Sequence, residues 1–533
     1  MRGQRGRRGI VMSGDEVLRF FQIPTFSVKM MPPELPVEYV TPSHVSCDVA
    51  VGEIIETENF EPCGAAGFTL EELRHGTLVM AGTSIERYAL CAKILSGLHD
   101  RGYRFIVVTS DAEYRRLHGL NSEVVVLRLG ETFVLNPLDT EGAKREDYAL
   151  HVANIFAAVL QMSPDAWRIF LKILYDAYEE DPTPTLLQLR ERLSSLSGAE
   201  GPRVAYLISA LEKELQVLTV PPLARMFCRE QTIGIRELAE RCVVIEVPKL
   251  SSKVLSLVEV IFMIKILASG LRENIVLLLD ECHHLFSRGT RHESAVELLG
   301  YLDELRSRGH FVLLTTSSPG LVHPSLFAKI GNRISFKVGT RIEQRIVADV
   351  LNLREFAIGI HAPEGRRRLY QMSYLKNLEP YHAVVFRYGF SEPFLVRVDR
   401  SLAEIPAPTD EQILSRVTYL FPEVVVQSCS GHPPVPLLLM DFGADADSAA
   451  EVLNLIKEYP GLSLFNIATT LDLDVPYCAR LIQKMEEEGY VHPTEQKIGK
   501  LVRRVYYLTE KGSRALHSYY EYKGKKSGGD GDV

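Results

Sequence analysis

The chain has little that would mark it as secreted, disulfide-stapled or membrane-spanning. Its 533 residues include eight cysteines, but there is no Cys-x-x-Cys pair and no zinc-type spacing. They read as reduced thiols of a cytoplasmic protein. The Cys282-His283-His284 run does not make a metal site, because neighbours on a helix point in different directions. There is no charge-free apolar run of spanning length. The longest, residues 254–271, carries Glu259 and Lys265 inside it and Lys253 and Arg272 beside it, which suits a buried amphipathic helix better than a membrane span. The first twelve residues, MRGQRGRRGIVM, are basic but lack the apolar core and small-residue cleavage site of a signal peptide. A flexible basic arm over residues 1–31 is expected, with Met12 as an alternative start to Met1. Net positive charge is absent too: 60 Lys and Arg against 68 Asp and Glu leave a formal charge of −8. That excludes a globally basic nucleic-acid coat but not local basic surfaces. What remains, 46% hydrophobic and 24% charged residues, is an ordinary globular composition, and the length suits about two to four domains.

The pattern changes along the chain. Residues 32–75 are rich in Pro, Val and Gly with short alternations such as HVSCDVAVGEI, and predict a small β segment. From residue 77 strands alternate with helices: a strand at 77–81, a helix at about 85–99, then strands at 105–109 and 124–129. Strands resume at 242–247, 275–280, 311–315 and 333–338, after a mostly helical insertion at about 145–230. Parallel strands separated by helices predict a doubly wound α/β core over residues 76–402. The Pro-containing stretch EIPAPTD opens an expected linker, residues 403–445. Residues 446–522 read as helix, helix, helix, two-stranded wing and helix, the order of a winged helix. Gly489 supplies the αL-compatible residue that ends the third helix. The last residues, 523–533, are low-complexity and expected to be disordered.

Chemistry concentrates in NIVLLLDECHHLF, residues 274–286. An aliphatic strand that delivers Asp280 and Glu281 to one end of a parallel sheet is how a P-loop ATPase presents its Walker B acids. The first holds Mg²⁺ through water, and the second activates the attacking water. The alternative is a pair of helix-capping acids. The partner motif should begin at GTLVMAGTSIERYAL, residues 76–90. The strand and the opening Gly82-Thr83 are in place, yet the consensus then requires Gly, Lys and Ser or Thr, and this chain has Arg87, Tyr88 and Ala89. Arg87 adds a Cβ and a long side chain where bare backbone must approach phosphate. Tyr88 supplies no cation, and Ala89 supplies no Mg²⁺ ligand. Lys93 is about 140° around the helix from Tyr88 and is a poor substitute. Arg87 could offer its guanidinium to a phosphate, or it could be solvated or salt-bridged.

With these residues in view, the chain resembles the HerA/FtsK class of P-loop ATPases, above all the HerA-type and conjugation (type IV secretion) DNA pumps. The resemblance spans about residues 50–400 and rests on the order of its motifs. FTLEELRHGTLVMAGT resembles the lead into the family's P-loop, and RGYRFIVVTSDAEYRRL its second strand. FVLNPLD resembles an Asn-Pro-Leu turn, CVVIEVPKLS the strand before Walker B, and LDELRSRGHFVLLTTSSPGLVHPSLFAKIGNRISFKV the helix, sensor strand and following segment. SEPFLVRVD resembles the core's closing strand. The resemblance implies a RecA-like core, ATP and Mg²⁺ as cofactors, and double-stranded DNA as partner. It also implies a ring, homo- or hetero-oligomeric, with a complete paralogue as one candidate companion; no integral membrane segment is expected, and a membrane-complex partner stays open. It puts the sensor, usually Gln, at Ser317. It puts an Arg reaching a neighbouring subunit's nucleotide at Arg306 or Arg308, which otherwise read as a solvated helix end. The departures at the P-loop and the sensor fall on one function, reading phosphate, and imply a degenerate ATPase.

The winged helix offers its own contact residues. Arg480 and Lys484 are four apart on the third helix, and Lys497, Lys500, Arg503 and Arg504 cluster in the wing, as phosphate and groove contacts require. Glu486, Glu487 and Glu488 close the same helix and argue for a protein partner instead. The competing readings are a DNA translocase subunit, a non-catalytic DNA-binding scaffold, and a transcription regulator that retains the ATPase fold.

Overall fold

A computed structural model describes residues 39–520, apart from 43–44, 58, 122, 197–201, 221–222, 272–274, 354–373, 422–437, 439–441, 443–444, 499–500, 510, 514 and 518. The expected basic arm, the C-terminal tail and Lys500 lie outside the described residues, as does the side chain of Lys497.

The aliphatic runs form the strands of one eleven-stranded sheet, ordered β2-β1-β11-β10-β9-β3-β8-β7-β4-β6-β5. Seven neighbours run parallel: β9 (Asn332–Ser335), β3 (Thr77–Met80), β8 (Phe311–Thr316), β7 (Ile275–Leu279), β4 (Arg104–Thr109), β6 (Cys242–Glu246) and β5 (Val124–Arg128). Strands β3 and β7 are buried at every position, as near-continuous apolar runs must be when helices cover both faces. Helix α1 (Leu70–Arg74) precedes β3, and α2 (Ser84–His99) follows it. The insertion between β5 and β6 holds the helices α3 (Arg145–Leu160), α4 (Pro164–Glu180), α5 (Leu186–Leu196) and α6 (Pro202–Thr219). Helix α7 (Ser252–Ala268) joins β6 to β7; it is 17 residues long and buries both Glu259 and Lys265. Among the described residues no helix is long and apolar enough to cross a membrane.

Two expectations are corrected. The segment 32–75 is not a β unit of its own. Strands β1 (Val49–Ile55) and β2 (Pro62–Phe68) extend the main sheet, because β1 pairs antiparallel with β11 (Phe394–Val398), and β10 (His382–Phe386) links β11 to β9. At Gly52 the strands approach so closely that a Cβ would lie 2.0 Å from the carbonyl oxygen of Arg397. Nor is residue 403 the start of a free linker. A strap over residues 401–421 lies against the sheet's far edge and includes helix α8 (Asp410–Leu420), which opens with a capping box of Thr409 and Gln412. Arg416 Nη1 donates to the carbonyls of His118, Asn121 and Val124 at 2.8, 3.2 and 3.1 Å, and Arg116 donates to the carbonyl of Ile405.

The C-terminal unit has its own apolar core, from Leu438 to Tyr519. It contains α9 (Ala446–Glu458), α10 (Leu464–Thr470) and α11 (Val475–Glu487). Its sheet consists of β12 (Leu462–Ser463), β13 (Val491–Ile498) and β14 (Leu501–Leu508) in the order β12-β14-β13, the last two strands of the chain forming the wing.

Candidate nucleotide site and DNA-contact residues

The C-terminal ends of β3, β4, β7 and β8 converge on one buried cluster of charge. Only Ala81, Gly82 and Thr83 separate β3 from α2, and Thr83 is already the helix N-cap. The eight-residue span from Gly82 to Ala89, where the sequence pattern leads one to expect a phosphate-cradling loop, is therefore mostly helix. Arg87, Tyr88 and Ala89 fall inside the helix and are buried. Glu86 is buried as well: its carboxylate accepts the Tyr381 N–H at 3.0 Å and the Thr83 hydroxyl.

Arg87 turns towards the acids. Its Nη2 lies 2.8 Å from Glu281 Oε1 and 3.6 Å from Asp111 Oδ2, and its Nε lies 3.7 Å from Asp280 Oδ1. Nη1 donates to the Ala81 carbonyl at 3.0 Å, which folds the side chain back under the turn. Asp280 also accepts the Thr109 hydroxyl at 2.7 Å and the Thr315 hydroxyl, which end or nearly end the two strands flanking β7. Glu281 has a left-handed backbone, φ +60°, uncommon for a residue other than glycine. Its Oε2 accepts the Ser317 N–H at 2.7 Å and the Ser317 hydroxyl at 2.9 Å, with His283 Nδ1 at 3.1 Å. Tyr88 donates to the Leu402 carbonyl of the strap at 3.3 Å and stacks edge-on against Tyr114. Lys93 pairs with Asp399.

The electrostatics follow the contacts. Burial works to raise the Glu281 pKa, but His283, Arg87 and Ser317 outweigh it and hold it at about 2. For Asp280 burial wins over Arg87 and the hydroxyls, and the pKa goes up. Burial alone would lower the Arg87 pKa; Asp280 and Glu281 reverse that, and it rises. Glu259 of α7 is raised well above the carboxylate range by burial and then by Asp280 and Glu281. The cluster thus holds Arg87 as a cation against Glu281 as an anion, with Ser317 fixing Glu281's other oxygen.

Sequence reasoning brought Arg87, Asp280, Glu281 and Ser317 to one place, and missed Asp111, Thr109, Thr315 and His283. Strand-end threonines on either side of an acid-tipped strand are a signal, but only once the strand order is known. Arg306 and Arg308 lie apart from this cluster. They precede β8, at the opposite end of the strands. Arg306 donates to the carbonyls of His75 and Lys329 and to Asp303, and Arg308 to the Leu267 carbonyl and to Glu304. In the winged helix, Arg480 and Arg503 are exposed. Lys484, one turn on, is half-buried, and its Nζ lies 5.3 Å from the centroid of the Phe442 ring. Arg504 pairs with Glu486.

Known structures match this fold. VirB4 of Thermoanaerobacter pseudethanolicus superposes with a TM-score of 0.52 at 11% identity, over 69% of this chain and 99% of that one. The chain shares its core fold with VirB4. A trigonal form of the bacterial conjugative coupling protein TrwB with sulphate matches with a TM-score of 0.49 at 13% identity, over 70% and 99% of the two chains. The plasmid coupling protein TrwB with ADP and Mg²⁺ gives 0.48 at 13%, over 70% and 98%. Residues 450–492 match the family described as "Winged helix-turn-helix DNA-binding". No curated protein matches the sequence. The core thus has a RecA-like fold with a mainly parallel sheet, followed by a winged helix.

Proposed function

We propose that the chain is a DNA-handling subunit built on a P-loop ATPase fold whose own nucleotide site is closed and does not turn over ATP. The observation that supports this reading is the position of Arg87, whose guanidinium stands among the carboxylates that would hold Mg²⁺ and orient water. Mg²⁺-ATP does not fit these residues. A nucleotide would have to draw Arg87 away from Glu281 and Asp280 and unwind the first turn of α2 to free backbone N–H groups. Tyr88 and Ala89 would then offer neither the lysine nor the hydroxyl. Glu86, a buried acid beside the same turn, would repel phosphate.

The link to DNA rests on the winged-helix match at residues 450–492 and on the resemblance of the core's motifs to DNA pumps. On this reading the chain acts within an oligomer, and a partner with complete sites supplies the energy. The test is hydrolysis of Mg²⁺-ATP by the purified chain with and without duplex DNA, with Glu281→Gln as control. No turnover above that control is expected in either condition. Duplex-stimulated turnover abolished by Glu281→Gln would overturn the reading and make the chain a motor.

A further inference from the structure

Many exposed arginines of this chain are already paired with carboxylates: Arg397 with Glu53, Arg400 with Glu404, Arg203 with Asp165 and Arg504 with Glu486. Four cations at the C-terminal end of the central strands are not. Arg288, Lys337, Arg341 and Arg345 are exposed, and among the described residues none has a carboxylate within ion-pair distance. They come from the regions that follow β7 and β9, and the loop that follows β8 joins the two into one surface by hydrogen bonds and packing. The Arg288 N–H donates to the Leu321 carbonyl at 2.7 Å, and its Nη1 reaches the Gly320 carbonyl at 3.5 Å. Gly320 in turn abuts the helix Arg341–Val350: a Cβ there would lie 3.6 Å from Glu343 Cγ and 3.7 Å from Ile346 Cδ1. Arg341 and Arg345 are one turn apart on that helix, near neighbours on its exposed side. Lys337 precedes them, and its carbonyl oxygen lies 3.9 Å from where a Cβ on Gly82 would stand. The surface therefore borders the closed nucleotide site. Glu343, the acid in the first helical turn, accepts the Thr340 hydroxyl at 2.9 Å. Leu321 and Ile342, 54% and 72% exposed, stand among the cations.

We propose that this face is a contact for the phosphate backbone of duplex DNA, carried by the ATPase-fold core and separate from the winged helix. The inference rests on the reading that the chain handles DNA. A chain of net charge −8 repels a polyanion over most of its surface, so unpaired local cations decide where one can approach. The winged helix is less well provided than its sequence suggests, with Lys484 over Phe442 and Arg504 on Glu486. Its match to a DNA-binding family still favours nucleic acid over an acidic protein as the partner of the same chain.

The test measures binding of the full chain to a random-sequence duplex across a salt series. Neutralising the face with Lys337→Ala, Arg341→Ala and Arg345→Ala should weaken binding at least tenfold at low salt. It should also flatten the slope of log K against log salt by about 2–3, at ~0.9 for each phosphate no longer neutralised. Arg341→Lys with Arg345→Lys should keep the parent slope, since a backbone contact needs charge rather than a guanidinium. An unchanged slope in the triple variant, with the loss seen instead in Arg480→Ala and Arg503→Ala, would overturn the core contact and leave the DNA reading intact. A parent chain that binds no duplex at all would overturn both. A triple variant that keeps its duplex slope but loses binding to poly-glutamate would assign the face to an acidic protein and overturn the proposal.

Discussion

Arg87 brings to its position what a glycine cannot: a buried cation set against buried Asp280 and half-buried Glu281. Removing one partner of a buried pair leaves the other uncompensated, which costs about 3–5 kcal/mol. Arg87→Ala should therefore destabilise the fold by that amount at pH 7. The sign of its pH dependence is set by Glu281, held at about 2 against an ordinary 4.5. A depressed carboxylate contributes stability that is present above pH 4.5 and lost as pH falls towards 2. Without Arg87 that contribution shrinks, and protonation relieves the acids sooner, so the penalty of Arg87→Ala should be smaller near pH 4.5 than at pH 7. Urea denaturation at the two pH values checks this, and an equal penalty at both would contradict the electrostatic account. The sequence made Arg87 visible as a misfit, since a consensus names the residue that should stand there. It could not say where the guanidinium points, because that depends on Asp111 and Asp280, which arrive from strands far along the chain.

The strap over residues 401–421 shows what periodicity misses in an element. EIPAPTD looks like a linker because it carries Pro and little apolar pattern. The groups that hold the strap are elsewhere, in Tyr88, Arg115, Arg116 and Arg128, or are single side chains such as Arg416. Buried and exposed attachments should differ in strength. Arg416→Ala strips a shared donor from three carbonyls and should cost about 1–3 kcal/mol. Asp410→Ala removes its pairs with Arg115 and Arg128, but the side chain is exposed, so the loss should stay within about 1 kcal/mol. Thermal unfolding of the two variants gives the order, and a larger loss for Asp410→Ala would contradict it. The strands and the winged-helix order were legible because apolar runs and 3.6-residue periods are local. The joining of β1 to β11 was not, since alternation predicts a strand but names no neighbour.

At the scale of the whole molecule, two apolar cores stand side by side in the sequence, one under the large sheet and one within residues 438–519. Each can melt on its own terms, so calorimetry should resolve two transitions, the smaller one absent after removal of residues 446–533. A single transition in the full chain would mean the units unfold together. The α/β class and the winged helix were readable from composition and pattern alone, whereas the state of the proposed nucleotide site was not, because it is a question of which way one buried arginine turns. The most direct test of that state is an isothermal titration of Mg²⁺-ATP into the intact chain. A site closed by Arg87 predicts no saturable binding up to millimolar nucleotide. Stoichiometric binding that Arg87→Gly with Tyr88→Lys and Ala89→Thr does not improve, and that Glu281→Gln weakens, would contradict it.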